Sequence, residues 1–195
     1  NYLSLSNSLL FPLKSDIKIT LAEGNTPLLK SRHIGKRLGL MSLYFKHEGF
    51  NPTGAFKDRG TLIEVSKAIE YKSKAVIVAS TGNMAASVSA YCALAQIPCF
   101  VFIPNKTPEA KTAQVSFYGA HVVKVDGGYD EIARFVEQTA EKYNLYLAGD
   151  YSFRVEGQKS QAYEILIQLK NVPDYILVPT GNGTNIYAIW KGLKD

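Results

Sequence analysis

The sequence predicts an α/β fold, with parallel sheets covered by helices on both faces and divided into two open-sheet domains. Three observations lead there. Short runs rich in β-branched and aromatic residues, such as "AVIVAS" (75–80) and "CFVFIP" (99–104), alternate with stretches whose apolar residues recur every three or four positions. Alternation of this kind builds a parallel sheet with right-handed crossovers. Polar loops follow three of the runs, and ligands of such sheets sit beyond the carboxyl ends of the strands. The length of 195 residues and hydrophobic content of 46% allow a substantial core, as one large domain or two small ones.

Taken in order, "LYFKHE" (43–48) reads as a strand, the loop 51–58 follows it, and "RGTLIEVSKAIEYK" is helical. "AVIVAS" is apolar almost throughout, as a strand covered on both faces should be. "GNMAASVSAYCALAQ" is a helix whose small residues permit close packing. After the strand "CFVFIP", Thr107-Pro108-Glu109 opens a helix with a cap and a proline at its first position. "HVVKVDG" (121–127) is a strand, and "YDEIARFVEQTAEKYN" has helical spacing. "LYLAG" is a brief strand and "EGQKSQAYEILIQLK" one helix. "DYILVPTGNGTN" is a strand running into a Gly/Asn turn, with helix again from "NIYAIWKG". There is no internal repeat and no low-complexity tract.

A formal charge of +5 is a mild excess with no dense basic block, which suits a small anionic ligand and argues against nucleic acid as the partner. Cys92 and Cys99 lie in apolar surroundings without a CxxC or Cys/His cluster, so buried reduced thiols are expected rather than a disulfide or a metal site, in keeping with a cytoplasmic setting. No apolar run approaches the roughly 20 residues needed to cross a bilayer. The opening "NYLSLSNSLLFPLKSD" lacks the pattern of a secretion signal.

Three loops could carry chemistry. In "PTGNGTN" (179–185), Gly181 and Gly183 let main-chain N–H groups turn toward one point at the start of a helix. That is either an anion site or an ordinary glycine turn with an Asn cap. In "ASTGNMAAS" (79–87), Ser80, Thr81 and Asn83 offer hydroxyl and amide groups, for capping or for a flat polar ligand. In "HEGFNPTGAFKDRG" (47–60), Lys57 stands behind Phe56, and Ala55 and Phe56 supply apolar walls. A lysine is a nucleophile only when desolvated or placed near other positive charge, so Lys57 is either a solvated cation or a reactive amine facing the two turns. Arg59 is a candidate for a structural salt bridge with Asp58 or another neighbour.

"NPTGAFKDRG", "STGN" and "PTGNGTN", in this order, resemble the pyridoxal-phosphate enzymes of fold type II, the tryptophan-synthase-β group. Within it, "EGNTPL" (23–28), "FKDRG" (56–60) and "RVEGQKS" (154–160) are most similar to the threonine synthase family, over about Leu21 to Leu193. The resemblance implies pyridoxal 5'-phosphate as cofactor, held by Lys57 as a Schiff base, with Lys57 also moving protons. It implies that Asn83 hydrogen-bonds the cofactor's ring hydroxyl and that Gly181, Asn182, Gly183, Thr184 and Asn185 cradle its phosphate. Ser80, Thr81, Gly82 and Asn83 would grip the substrate carboxylate, and Arg154 would reach the substrate phosphate, where a planar two-pronged donor suits the geometry. The implied reaction turns O-phosphohomoserine and water into threonine and phosphate.

The same resemblance implies a large cofactor domain, of which residues 1–61 and 154–195 are parts, and a smaller mobile domain over 62–153. Its C-terminal remainder, with the residue facing the cofactor ring nitrogen, is expected outside this sequence. It leaves a homodimer open and implies neither nucleic-acid nor membrane partners. Three positions depart from the family pattern. Met84 follows "TGN" in place of a hydroxyl residue, Thr184 stands for a glycine, and "LYLAGDYSFRVEGQ" lacks the Asn-Ser pair before Arg154. Serine/threonine dehydratases and cysteate synthase share much of the frame and are the alternative enzymes. A catalytically silent relative binding an anionic metabolite is the non-enzymatic one, although mere binding has no use for the amine of Lys57.

Overall fold

The computed structural model describes residues 11–14 and 19–195; the opening stretch read for a secretion signal lies largely outside them. In chain order the elements are β1 (Leu28–Lys30), α1 (Ile34–Arg37), β2 (Tyr44–Lys46), α2 (Lys57–Glu70), β3 (Val76–Ala79), α3 (Asn83–Ala95), β4 (Cys99–Pro104), α4 (Ala113–Phe117), β5 (His121–Val125), α5 (Tyr129–Tyr143), β6 (Tyr146–Leu147), α6 (Ser152–Gln158), α7 (Ser160–Leu169) and α8 (Thr184–Lys194). Four strands form a parallel sheet in the order β5-β4-β3-β6, with Ile77 paired to Phe100 on one side and to Leu147 on the other.

The period-two alternation of β3 and β4 divides their side chains between two cores. Val76, Val78, Val101 and Ile103 pack with Leu62 and Val65 of α2 and Val88 and Tyr91 of α3. Ile77 and Phe102 point the other way, onto Ile132, Val136 and Ala140 of α5. Helices therefore cover both faces, as the alternating pattern requires. The small residues of α3 let it approach α2 closely enough for the Ser87 hydroxyl to donate to Thr61 Oγ1 at 2.8 Å. Cys92 and Cys99 are buried free thiols. Among the described residues, no helix is long and apolar enough to cross a membrane.

Several elements differ from expectation. The 43–48 strand does not join the parallel sheet; β2 pairs antiparallel with β1, Leu29 opposite Phe45. Its alternating exposure, with Phe45 out, is that of a ladder with one wet face rather than a strand covered on both. Residues 175–179 form no ladder, because no described strand lies beside them, and Tyr175 and Leu177 are 86% and 87% exposed. The helix expected from Thr107 begins as a 3-10 turn at Glu109–Lys111, without a side-chain cap, before the short α4. The helix expected through 156–170 is divided into α6 and α7 at Lys159, whose carbonyl accepts from Ala162 N at 3.0 Å. Residues 61 and 62 themselves lie within α2, which packs against both α3 and α6.

Candidate active site

Lys57 is the first residue of α2, and its position is fixed by its neighbours in sequence. Asp58 turns back, accepting from Thr53 N at 2.7 Å and Thr53 Oγ1 at 2.6 Å, which closes the loop that Gly54 makes with a φ of +84°. Asn51 is buried and accepts from Gly24 N at 2.9 Å. The Lys57 carbonyl receives Thr61 Oγ1 at 3.0 Å and Arg154 Nη1 at 3.3 Å. Held in this way, the Lys57 side chain is 15% exposed and its Nζ donates to Asp150 Oδ1 at 2.9 Å. The same ammonium lies 5.2 Å from the centre of the Phe56 ring.

Arg59 goes inward, but to Glu48 and Glu164 rather than to Asp58. Its guanidinium is wholly buried, donating to Glu48 Oε2 at 2.7 Å, Glu164 Oε1 at 2.7 Å and Thr26 Oγ1 at 3.1 Å. Glu164 also takes Lys46 Nζ at 2.6 Å and Asn25 N at 2.7 Å. "EGNTPL" thus serves as a brace. Asn25 and Thr26 tie to Glu164 and Glu48, while Glu23 accepts from the Tyr91 hydroxyl of α3. Gly60 and Gly157 let α2 and α6 cross at contact distance. A methyl at Gly60 would stand 2.5 Å from Arg154 Cγ, and one at Gly157 would overlap the Arg59 carbonyl.

The glycine turn 181–183 arrives from the other side. Gly183, at a φ of +88°, is the N-cap of α8, and neither Gly181 nor Gly183 has any atom within 4 Å of where a methyl would sit. Thr184 N donates to Asn182 Oδ1 at 3.2 Å, and Asn185 is turned inward, its Oδ1 taking Gln161 Nε2 at 2.7 Å. The Asn182 side-chain amide donates to Asp150 Oδ2. One carboxylate therefore joins the amine of α2 to the turn before α8. Beside it opens a cleft of about 610 Å3, lined by Asp150, Tyr151, Asn182, Gly183, Thr184 and Tyr187 among others.

Ser80, Thr81 and Gly82 follow β3, and Asn83 begins α3; Gly82 and Asn83 are exposed. Because β3 and β6 are parallel neighbours, with Ala148 N donating to the Ile77 carbonyl at 2.9 Å, the 80–83 loop and Asp150 leave the same carboxyl end of the sheet. The Tyr129 hydroxyl crosses this end to the Ala79 carbonyl at 3.3 Å.

Arg154 lies behind Lys57, on its carbonyl, and faces inward. It is wholly buried, with Nη2 on the Glu64 carboxylate, Nε on the Gly149 carbonyl at 2.9 Å and Nη1 on Thr61 Oγ1 at 3.2 Å. Burial pushes the Glu64 carboxyl up to about 7, although Arg154 and the Gly149 amide pull the other way. Sequence reading missed Asp150 and Glu64. For Asp150 a signal was present, since it directly follows the strand run "LYLAG", at the carboxyl end where ligands sit. For Glu64, in the middle of a helical run, there was none.

The family described as "Pyridoxal-phosphate dependent enzyme" matches residues 19–195. Threonine synthase of Methanocaldococcus jannaschii is 46% identical over 188 residues, covering 94% of this chain and 46% of that protein. Threonine synthase of a Synechocystis species is 44% identical over 177 residues, covering 89% and 46%. The chain spans about half the length of the curated relatives it matches. Among solved structures, maize serine racemase superposes with a TM-score of 0.79 at 30% identity, over 88% of this chain and 52% of that one. The processed form of threonine deaminase isoform 2 from Solanum lycopersicum gives 0.80 at 28%, over 87% and 47%.

Proposed function

The chain belongs to the family of pyridoxal-phosphate dependent enzymes, and from that premise we propose that it carries the lysine-bearing part of a threonine synthase site, acting on O-phosphohomoserine and water to give threonine and phosphate. The observation that carries the reading is the meeting of Lys57 and Asn182 on one carboxylate, from positions 125 residues apart in the sequence. The identity of 46% to a threonine synthase supports that substrate over those of the less similar serine racemase and threonine deaminase.

The residues fit a phosphate-bearing cofactor. Donors from both sides already converge on an anion, the Asp150 carboxylate, and the space at Gly181 and Gly183 is open. Lys57 would hold the cofactor covalently through its amine. The N–H groups of Gly181, Asn182, Gly183, Thr184 and Asn185 would bind its phosphate at the head of α8, where the helix dipole favours negative charge. Asn83 would donate to its ring hydroxyl. When bound, the cofactor supplies an electron sink that stabilises negative charge on substrate carbon.

Lys57 Nζ, once freed, would take the proton from the substrate's α carbon and return protons at the later stages. The half-buried setting beside Phe56 keeps competing water from it. Ser80, Thr81, Gly82 and Asn83 would bind the substrate carboxylate from the end of the sheet they share with Asp150. Arg154 would act on Lys57 from below, holding its carbonyl and Thr61. To reach a substrate phosphate as the resemblance implies, it would have to leave the Glu64 pair. A cytoplasmic location, a homodimer, and a mobile part over 62–153 against a cofactor part over 1–61 and 154–195 belong to the same proposal.

The test is product analysis. The protein supplied with cofactor and O-phosphohomoserine should release threonine and inorganic phosphate in equal amounts, and Lys57→Ala should release neither. A keto acid from threonine or serine, with phosphohomoserine left intact, would replace this reading with a dehydratase.

A further inference from the structure

Asp150 engages the amine that the proposed site needs for its cofactor and a side chain of the turn that would bind the cofactor phosphate. Its Oδ1 takes Lys57 Nζ at 2.9 Å and its Oδ2 takes the Asn182 side-chain amide, while 22% of the side chain remains exposed. Arg154 Nε is 3.9 Å from Oδ1 but donates to the Gly149 carbonyl. The backbone before Asp150 is anchored, Ala148 N on the Ile77 carbonyl and Gly149 N on Glu64 Oε1, both at 2.9 Å. The side chain itself lines the cleft.

We infer that Asp150 is an internal anion which a phosphate-bearing ligand must displace, and so a positioning residue that sets how tightly the site takes that ligand. The inference rests on the cofactor reading above. A phosphate held by the amides of 181–184 would share the turn with a carboxylate that is already bonded to the Asn182 side chain. Like charges brought together near a protein surface weaken binding by about tenfold or more. Displacement has a second effect. When Asp150 turns away, Lys57 loses its ion pair, so filling the anion turn releases the amine that must react. The Asp150–Asn182 contact also holds the turn in place before any ligand arrives, which reduces the ordering that binding demands.

The experiment measures the affinity of the protein for inorganic phosphate by calorimetry, in the wild type and in Asp150→Asn, Asp150→Ser and Asp150→Glu. Asn and Ser both remove the charge, so one of them suffices if the other does not fold; Glu retains it. The expected result is phosphate binding about tenfold tighter in the Asn or Ser variant and near the wild-type value in Glu. Equal or weaker binding in the uncharged variants overturns the inference and leaves Asp150 as a brace for the loop. Borohydride fixation of pyridoxal phosphate to the wild-type protein reports separately on the cofactor. Fixation at Lys57 without a phosphate gain in the variants keeps the enzyme reading and overturns the role of Asp150. A phosphate gain without fixation supports displacement of an anion and removes the cofactor from the account.

Discussion

Arg59 and Lys46 hold the carboxylate of Glu164 from two sides, and that pairing has a measurable pH signature. Burial alone would raise the Glu164 carboxyl, but the hydrogen bonds and charges of Arg59 and Lys46 outweigh it and hold it down at about 2, against an ordinary 4.5. A carboxyl lowered by folding contributes stability that is present above about 4.5 and lost as the pH falls toward about 2, here about 3 kcal/mol. Glu64 has the opposite sign. Raised to about 7, it favours the fold most below 4.5 and loses that contribution as the pH rises through 7. Denaturant unfolding of Glu164→Gln between pH 5 and pH 2 should therefore show a shallower acid loss than the wild type; an unchanged slope would mean that the pair carries no net charge coupling. Little of this network could be read in advance. "FKDRG" stood out as a motif, but its partners Glu48 and Glu164 lie in other segments, and a charge in a sequence does not reveal which way it faces.

Helices α2 and α6 cross where Gly60 meets Arg154 and Gly157 meets the Arg59 backbone, so the amine of Lys57 depends on two missing side chains. Gly157→Ala should force the helices apart and cost about 1–3 kcal/mol or more by overpacking, with Gly60→Ala close behind. Thermal unfolding measures the cost, and the weakened uptake of cofactor that should accompany it separates this contact from packing remote from the site. Two alanine variants of wild-type stability would show that the helices have slack. At this scale the sequence was most legible where burial is uniform. "AVIVAS" and "CFVFIP" became β3 and β4 because their apolar residues serve both faces, and "YDEIARFVEQTAEKYN" became α5 nearly residue for residue. It was least legible where tertiary contacts decide. The break at Lys159 follows a glycine chosen for close approach, and β2 found an antiparallel partner that no local pattern announces.

Across the whole molecule, the described surface carries an apolar strip over the 172–178 segment and α8. Val172, Tyr175 and Leu177 are between 70% and 87% exposed, and Trp190 is 53% exposed. Exposed apolar area of this extent binds hydrophobic dyes and promotes association. In the 195-residue chain, Leu177→Lys should reduce dye binding while leaving unfolding stability within about 0.5 kcal/mol, because the side chain packs on little. A large loss of stability would show that the strip is covered in solution. At the same scale, α2 and the turn before α8 bring one amine and one glycine turn together on the carboxylate of Asp150. The three loops were legible as candidates from their residues, but the topological argument held only for 80–83, which follows β3; β2 lies in a separate ladder and 175–179 in none. That Asp150 would join Lys57 to Asn182 was not legible, since a lone aspartate after a short strand has many uses. The most direct test is a peptide map of the protein reduced with borohydride in the presence of stoichiometric pyridoxal phosphate. The pyridoxyl group should appear on Lys57 and on no other lysine to a comparable extent. Label spread over the surface lysines, with Lys57 unmodified, would contradict a reactive amine at that position.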